Sequence, residues 1–388
     1  MEFSRTVESF GNEIFAALNE KRIALEKEGK TVYNLSVGTP DFPVPEHIKN
    51  ALIEAAENPE NWKYALRDMT ELLDAVIFYY KKRFGVTLTR DMIASCYGTE
   101  EGMGHIGMVL CNPGDTVILP TPCYPVFIAG AKMAGAIPWY YPMTKETDFL
   151  PMVEDIPEEI AKKAKYMVVS LPSNPTGSVA GTDTYKKLVA FAKKYDVIIL
   201  HDNAYSDIIF DGVRGGSFLE TPEADLVGCE FFSLSKSFNL TGARTSFLIG
   251  RPDIIAAFKK LRGQIDFGMF IPLQKAAIAA LKGPTDMVEV QCNKYEERRD
   301  TLCKGLRSIG WDCPDSHGSM FVWAPVPKKY KTSMEFCIDL MEKSGVICTP
   351  GSSFGPLGEG YVRFALTMPP EKIKKAIEAI NDSNILNN

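Results

Sequence analysis

Seven short segments of this chain are apolar along their whole length, and this feature limits the fold most strongly. Between most of them lie segments with helical spacing of apolar residues, at 100–111, 124–134 and 183–195. A strand that is apolar throughout, rather than alternating, is typical of a strand buried on both faces. The pattern therefore predicts an α/β fold in which a mostly parallel seven-stranded sheet is sandwiched by helices. The predicted strands are 93–97, 116–120, 136–141, 166–171, 197–202, 230–234 and 245–250.

The pattern changes after Gly283-Pro284, where a long, charged helical segment begins. One N-terminal helix is also predicted, from about Val7 to the stop at Gly29. We interpret both chain ends as a smaller α+β domain, made of residues 1–35 and 285–388, beside a large domain of residues 36–284. Within the C-terminal part we predict a helix over 285–308, a strand-rich stretch at 320–326, a helix at 333–344, a strand at 346–348 and a helix at 370–381.

Composition excludes several classes of function. The formal net charge is −6, which lacks the basic excess of a nucleic-acid-binding protein. No run approaches the ~18 consecutive apolar residues of a membrane span, and the N-terminus lacks a basic-then-apolar signal pattern. The nine cysteines contain no C-x-x-C pair, and there are only four histidines, so a metal site or disulfide framework has little support. We therefore expect a cytoplasmic protein with reduced thiols and no metal, nucleic-acid or membrane partner.

A glycine-rich motif at 102–107 matches G-x-G-x-x-G but stands in the wrong place for a dinucleotide site. The preceding strand ends at Tyr97, so these glycines fall inside a helix, and the next strand ends without an acidic residue for a ribose hydroxyl. The turn at Gly98, Thr99 and Glu100 is a better anion site. A strand-to-helix turn offers free backbone N–H groups at the positive end of a helix dipole, although any such turn does so.

One lysine has surroundings that suit covalent chemistry. Lys236 follows an apolar strand and stands between small hydroxyl residues, away from any run of charge. A desolvated amine there can become nucleophilic, as a Schiff-base lysine requires. The alternative interpretation is that Lys236 is an ordinary solvated lysine at a strand end. Ser233, Ser235 and Arg244 could supply hydrogen bonds and charge to a phosphate.

Polar side chains also follow the two preceding strands. Asn174, in SNPTG, could donate to a ring oxygen, though Asn-Pro is also turn chemistry. Asp202 comes at a strand end, where α/β proteins bind ligands, and could hold a pyridine nitrogen protonated. Tyr205 could reach the same ring's oxygen, while His201 is expected to be a packed core residue. With Lys236, this is the set needed to hold pyridoxal phosphate as an electron sink.

The segments SNPTG, HDNAY, SLSKSFNLTGAR and Tyr361-Val362-Arg363 together resemble the class I/II aminotransferases, pyridoxal-phosphate enzymes of fold type I. The resemblance extends from about residue 30 to 380 and is nearest to the LL-diaminopimelate, alanine and aspartate aminotransferase-like members. It implies a homodimer with shared active sites, acting on an L-amino acid and a 2-oxo acid, with glutamate and 2-oxoglutarate as the partner pair.

The resemblance also implies roles for individual residues. Lys236 would bind the cofactor covalently, Asp202 would hold its ring nitrogen, and Arg363 would grip the substrate α-carboxylate. The other implied cofactor contacts are Gly98, Thr99, Glu100, Tyr124, Asn174, Tyr205, Ser233, Ser235, Arg244 and, toward the neighbouring subunit, Tyr64; Gly38 and Asn174 would assist with substrate.

The sequence departs from the family pattern at positions that bear on substrate choice. Ala243 replaces the usual Trp before the phosphate arginine, Ser246 replaces a Gly, and Asp68-Met69 stands where a Gly is expected. Arg67 could pair with a polar or acidic end of the substrate, or be a solvated surface residue.

Three alternatives to an aminotransferase remain at this point: a carbon–sulfur β-lyase on the same fold, a non-catalytic regulator that retains the cofactor, and a nicotinamide dehydrogenase.

Overall fold

The computed structural model describes residues 2–10, 14–213 and 216–386, with the backbone alone for residues 14–19. Its strands are β1 (Tyr33–Asn34), β2 (Ile93–Cys96), β3 (Thr116–Thr121), β4 (Ile137–Pro142), β5 (Ala164–Ser170), β6 (Ile198–Asn203), β7 (Gly228–Ser233), β8 (Ser246–Gly250), β9 (Phe321–Pro325), β10 (Val346–Ile347), β11 (Thr349–Pro350) and β12 (Tyr361–Ala365). All seven strands predicted for the large sheet are confirmed.

The helices cover about half of the remaining described residues. They are α1 (Arg5–Glu8), α2 (Ile14–Lys27), α3 (Glu46–Glu57), α4 (Thr70–Phe84), α5 (Thr99–Leu110), α6 (Pro125–Met133), α7 (Glu158–Ala161), α8 (Thr182–Tyr195), α9 (Ala224–Val227), α10 (Leu234–Ser237), α11 (Pro252–Arg262), α12 (Ile271–Lys282), α13 (Asp286–Ser308), α14 (Ser333–Ser344) and α15 (Pro370–Asp382). None of the helices in these described ranges is long and apolar enough to cross a membrane.

The large sheet has the order β2-β8-β7-β6-β5-β3-β4, and β8 alone runs antiparallel to its neighbours. Apolar side chains of successive residues enter cores on opposite faces. On β7, Phe231 packs in a cluster with α5, α6 and α11, whereas Phe232 packs in a cluster with α4, α8 and α12. Helices thus cover both faces, which explains why these strands are apolar throughout.

The two chain ends meet in smaller sheets. Strand β1 pairs in parallel with β10, aligning Tyr33 with Val346, while β11, β12 and β9 form an antiparallel sheet. One apolar cluster joins Leu35 to side chains of β9, β12, α13, α14 and α15. The smaller α+β unit built from both chain ends is therefore confirmed, while the boundaries at residues 35 and 284 stay a prediction.

The prediction of one N-terminal helix from Val7 is wrong. Helix α1 ends at Glu8, and the Ser9 hydroxyl donates 2.8 Å to the Thr6 carbonyl oxygen, a local bond that competes with helical continuation. The predicted stretch over residues 11–13 lies outside the described residues, and α2 then runs to Lys27, before Gly29.

The glycines of the G-x-G-x-x-G motif lie inside α5 and serve helix packing. A Cβ on Gly107 would lie 2.9 Å from the Gly130 carbonyl oxygen, and one on Gly102 would lie 2.5 Å from the Phe231 ring. Their missing side chains let α5 approach both α6 and the sheet closely, so the rejection of a dinucleotide site on this motif agrees with the packing.

Candidate active site

A cavity of about 650 Å³ opens at the edge of the large sheet where β5, β6 and β7 end. Because β8 runs the opposite way, its first residue lies at this same edge, and so does the end of β2, since Cys96 is aligned with Ser246. Ligands of α/β sheets bind at this edge. The cavity is lined by Ser36, Val37, Gly38, Thr39, Thr99, Glu100, Tyr124, Asn174, Asp202, Ala204, Tyr205, Ser233, Ser235, Lys236, Thr241, Gly242, Arg244, Phe321 and Arg363.

The cavity gathers twelve of the fourteen residues that the sequence singles out for cofactor and substrate. Gly98 lies directly behind its wall, with a positive φ of 85°, and a Cβ there would collide with the Arg244 guanidinium. Tyr64 lies outside the cavity, 80% exposed, with its ring 5.3 Å from that of Phe267. Arg67 is also exposed and outside it.

Lys236 lies on α10, the single helical turn that follows β7. Its Nζ donates 2.6 Å to the carbonyl oxygen of Gly38. Burial lowers the pKa of this amine to about 8, and the positive charges of Arg363 and Arg244 act in the same direction. A substantial share of the amine is therefore neutral, and nucleophilic, near pH 8.

Asp202 lies at the end of β6 and is almost fully buried (6% exposed). Burial raises the pKa of its carboxyl to about 6, against the opposing effect of His201. Its Oδ1 has no hydrogen-bond partner among the described residues. A buried carboxylate oxygen without a donor is costly, so this atom is suited to a donor from a bound ligand.

Tyrosine rings border the same space. Tyr205 is buried, with its ring 5.7 Å from Phe321, and burial and the nearby Asp202 raise the pKa of its hydroxyl. The Tyr124 hydroxyl lies 3.3 Å from Oε1 of Glu100, and burial raises its pKa to about 12. Both phenols are therefore protonated at neutral pH and able to donate.

Arg363, on β12, is a buried cation without an acidic partner among the described residues. One Nη donates 2.9 Å to Oδ1 of Asn174, the other donates 2.9 Å to the Ser36 carbonyl oxygen, and Nε has no partner. Burial lowers its pKa to about 10. An unpaired buried guanidinium is costly, so this position favours binding of an anion, and a carboxylate matches its planar fork.

A second set of hydrogen-bond donors lies at the start of α5. Its first turn begins at Thr99, and Ser233, Ser235 and Arg244 line the cavity nearby. Arg244 Nη2 lies 3.7 Å from Glu100 Oε2, and both side chains are half-exposed. Free N–H groups, two hydroxyls and a guanidinium are the donors that proteins use for phosphate.

Sequence reasoning missed seven lining residues: Ser36, Val37, Thr39, Ala204, Thr241, Gly242 and Phe321. Phe321 matters most, because the Arg363 guanidinium lies 4.1 Å from the centre of its ring. A Cβ on Gly38 would lie 2.6 Å from the same ring. Gly38 in LSVGTP therefore indicates a position of close packing. The sequence does not show that Phe321 is the residue packed against it.

Known proteins share this sequence and architecture. The family model for class I and II aminotransferases matches residues 30–380. The chain is 40% identical over 379 residues to an LL-diaminopimelate aminotransferase of Dehalococcoides mccartyi, covering 97% of each chain. It is 40% identical over 387 residues to another from Halothermothrix orenii, covering 99% of each. Substrate-bound BacF from Bacillus subtilis superimposes with a TM-score of 0.95 at 35% identity, covering 99% of this chain and 98% of that one.

The chain belongs to the class I and II aminotransferases. It is an aminotransferase of fold type I, as the sequence predicts. The relatives named above give no support to the β-lyase alternative.

Proposed function

We propose that this protein is a pyridoxal-phosphate-dependent aminotransferase that moves an amino group between an L-amino acid and a 2-oxo acid. The observation that carries this proposal is the convergence of Lys236, Asp202 and Arg363 on one cavity. An amine with a lowered pKa, a buried carboxylate and an unpaired buried guanidinium have separate tasks in this chemistry.

The residues present fit the cofactor. Asp202 has an unpartnered buried oxygen that a protonated ring nitrogen would satisfy. The N–H groups at the start of α5, with Ser233, Ser235 and Arg244, suit its phosphate, and the missing side chain of Gly98 leaves room for the Arg244 guanidinium. Asn174 and Tyr205 would donate to the ring oxygen, and Tyr124 would stack on the ring. When bound, pyridoxal phosphate supplies an electron sink for charge that develops at the substrate α-carbon.

Lys236 would supply the amine that attaches the cofactor and would then move a proton. Its pKa of about 8 lets it accept a proton at one stage and return it at another, which is efficient near its own pKa. The Gly38 carbonyl oxygen, 2.6 Å from Nζ, holds the amine inside the cavity. Asp202 would hold a proton on the ring nitrogen through its negative charge.

Arg363 would bind the substrate α-carboxylate, with Asn174 and Gly38 beside it. Its hydrogen bond to Asn174 and its place over the Phe321 ring fix the direction of the guanidinium before substrate arrives. A pre-oriented bidentate clamp sets the α C–H bond relative to Lys236, and such positioning contributes to rate.

For the substrate we propose a donor of the diaminopimelate, aspartate or alanine class, with glutamate and 2-oxoglutarate as partner pair. The support is the name of relatives about 40% identical over nearly the whole chain. Within the lining residues the cations are Lys236, Arg244 and Arg363, and all three have tasks at the cofactor or the α-carboxylate. Recognition of the distal end of the donor therefore falls to other groups, and Arg67 is our candidate.

We further propose a cytoplasmic homodimer with shared sites. Trp62, Tyr64 and Leu66 expose most of their surface in one short segment, and Phe267, which Tyr64 contacts, is also exposed. The hydroxyl of Tyr97, one residue before Gly98, donates 2.6 Å to the carbonyl oxygen of Gly268, which follows Phe267. An exposed aromatic patch beside a site is typical of a subunit interface. All nine cysteines are free thiols, which agrees with a reducing compartment.

A two-sided assay tests the proposed reaction. The purified protein, loaded with pyridoxal phosphate, is offered LL-diaminopimelate, aspartate and alanine, each with and without 2-oxoglutarate. We expect turnover that requires the 2-oxo acid. Release of pyruvate, ammonia and a thiol from a thioether of cysteine without any 2-oxo acid would instead establish a β-lyase. No turnover with any donor would leave a non-catalytic regulator.

A further inference from the structure

A buried histidine lies next to the proposed cofactor site without lining its cavity. His201 precedes Asp202 on β6, and both His201 and Glu230 are 0% exposed. The strand register aligns His201 with Glu230 on β7, and Nδ1 of the histidine lies 2.8 Å from Oε2 of the glutamate. The residue is buried, as the sequence predicts, but it has a charged partner rather than a purely apolar surrounding.

The hydrogen bonds of the ring require two protons. Nε2 lies 2.9 Å from the carbonyl oxygen of Leu171, which can only accept, while Nδ1 faces the Glu230 carboxyl group. A neutral imidazole has one donor and one acceptor nitrogen. If Glu230 is ionised, both nitrogens must therefore donate and the ring is an imidazolium.

Three further donors keep Glu230 ionised. Its oxygens accept from the Tyr80 hydroxyl at 2.6 Å, the Ser217 hydroxyl at 2.8 Å and the Phe218 N–H at 2.8 Å. Burial alone raises the pKa of this carboxyl, but the hydrogen bonds from His201, Tyr80 and Ser217 outweigh it and hold the pKa below its usual value. A carboxylate that accepts several donors is favoured over the acid.

The other titratable groups around the ring are two phenols and Asp202. On α8, the Tyr185 hydroxyl lies 3.3 Å from Nε2, and on α4, Tyr80 faces Glu230; burial raises the pKa of both phenols far above neutrality. Asp202 is the neighbour on the same strand. The positive ring thus lies between one fixed anion, Glu230, and the carboxylate proposed to face the cofactor.

The Leu171 carbonyl, the His201 ring and the Glu230 carboxylate are linked by hydrogen bonds and lie on or directly after three neighbouring strands. Leu171 follows β5, His201 is on β6 and Glu230 is on β7. These strands lead, in the same order, to Asn174, Asp202 and Lys236. A charge-assisted link across three strands therefore lies directly under three residues of the proposed site.

We propose that His201 is a positioning residue: its doubly protonated ring, paired with Glu230, fixes these strand ends and keeps Asp202 ionised. The part that concerns the cofactor rests on the proposed function. The electrostatic part rests on the strand register, because a charged ring at His201 lies next to Asp202 on β6 and would lower the pKa of that carboxyl against the effect of burial.

The first test measures protonation directly. Side-chain ¹⁵N shifts of histidine are recorded on the cofactor-free wild-type chain, and His201 is assigned by elimination with His47→Gln, His105→Gln and His317→Gln. We expect both His201 nitrogens to be protonated at pH 7. A single neutral tautomer at pH 7 would overturn the proposal, and this result does not depend on whether any His201 variant folds.

The second test asks whether the charge acts on Asp202. The ¹³C titration of the Asp202 carboxyl, assigned by its loss in Asp202→Asn, is compared between wild type and His201→Gln. We expect its midpoint to rise by about one pH unit without the imidazolium. His201→Gln/Glu230→Gln, which removes both charges, should shift it in the same direction if the single variant does not fold. His317→Gln, an exposed histidine, should leave it unchanged, and an unchanged midpoint in the His201 variants would contradict the proposal.

Binding of pyridoxal phosphate to the cofactor-free protein provides the readout that a merely structural role would not give. His201→Gln should weaken it about tenfold in the wild-type background but hardly at all in Asp202→Asn, because the effect passes through that carboxylate. Equal losses in both backgrounds would mean that His201 acts by general stability alone. If the wild type binds no pyridoxal phosphate, the proposed function fails, while the nitrogen shifts and the Asp202 titration still decide on the ion pair.

Discussion

Nζ of Lys236 donates a hydrogen bond to the carbonyl oxygen of Gly38 over 2.6 Å, although 198 positions separate the two residues in sequence. This contact holds the amine in the cavity, where burial lowers its pKa to about 8. The amine, the buried Asp202 and the unpaired Arg363 lead to the following expectations.

Lys236→Ala should abolish turnover while leaving the fold intact, because the variant loses the amine that attaches the cofactor and moves the proton. After reduction with borohydride, mass spectrometry should find the pyridoxyl group on a peptide containing Lys236 in the wild type and nowhere in the variant. Lys187→Ala, an exposed lysine paired with Glu154, is the matched control and should behave as wild type. Near-normal activity of Lys236→Ala would refute the assignment.

Asp202→Asn should bind the cofactor yet turn over about a thousandfold more slowly, since a neutral amide cannot hold a proton on the ring nitrogen. Three decades in rate correspond to roughly 4 kcal/mol of transition-state stabilisation. The substrate α-deuterium isotope effect should grow in the variant, showing that proton transfer limits the rate. An isotope effect of one would place the defect elsewhere.

The same substitution should stabilise the cofactor-free protein at neutral pH. Burial raises the Asp202 pKa from 3.8 to about 6, so the folded state binds this proton more tightly than the unfolded state. Stability from this group is therefore present below pH 3.8 and lost as the pH rises to about 6, a cost of roughly 3 kcal/mol above that range. Urea unfolding should show Asp202→Asn more stable than wild type at pH 7.5, with the difference disappearing near pH 4. A constant difference at both pH values would argue against this titration.

Arg363→Ala should lower kcat/KM by about one to two decades, the effect of losing a charge-assisted hydrogen-bonded pair worth about 1.5–3 kcal/mol. Arg363→Lys keeps the charge but not the fork, so it should recover only part of the loss. Amines that lack the α-carboxylate should react equally with wild type and Arg363→Ala. Arg363→Ala and wild type could instead show the same preference for amino acids over such amines. Arg363 would then not be the residue that binds the α-carboxylate.

Arg67→Ala tests the choice of substrate. Arg67 is exposed in the single chain and lies three residues after Tyr64, in the aromatic segment proposed to meet a second subunit. We expect kcat/KM to fall by about one to two decades with an acidic or diamino-dicarboxylic donor and to change little with alanine. Arg90→Ala, an exposed arginine paired with Asp74, is the control. Equal losses on both kinds of donor would show that Arg67 does not recognise the side chain.

The sequence predicts the parts of the site that come from strand ends. Asn174, Asp202 and Lys236 follow strands apolar enough to be recognised, and parallel strands bring their ends together without further information. Phe321 and Ser36 could not be found this way. Phe321 lies in a short strand rich in aromatic residues, and Ser36 contributes a backbone oxygen, which any residue possesses. The end of helix α1 at Glu8 was missed because the helical spacing of apolar residues continues beyond it. The Ser9 hydroxyl, which bonds to the Thr6 carbonyl oxygen, ends the helix locally.

The pairing of β1 with β10 has a consequence for how the protein is made. Gly38, which receives the hydrogen bond of Lys236, follows a strand whose only partner in the described sheets is Val346–Ile347. Arg363 comes later still. A chain emerging from the ribosome can thus complete the large sheet, and Lys236 with it, at an early stage. The Gly38 oxygen that accepts from the amine, and the Arg363 guanidinium proposed to bind a carboxylate, reach their final places only later. Catalytic competence therefore waits for the last tens of residues, and chains stopped early are expected to be inactive.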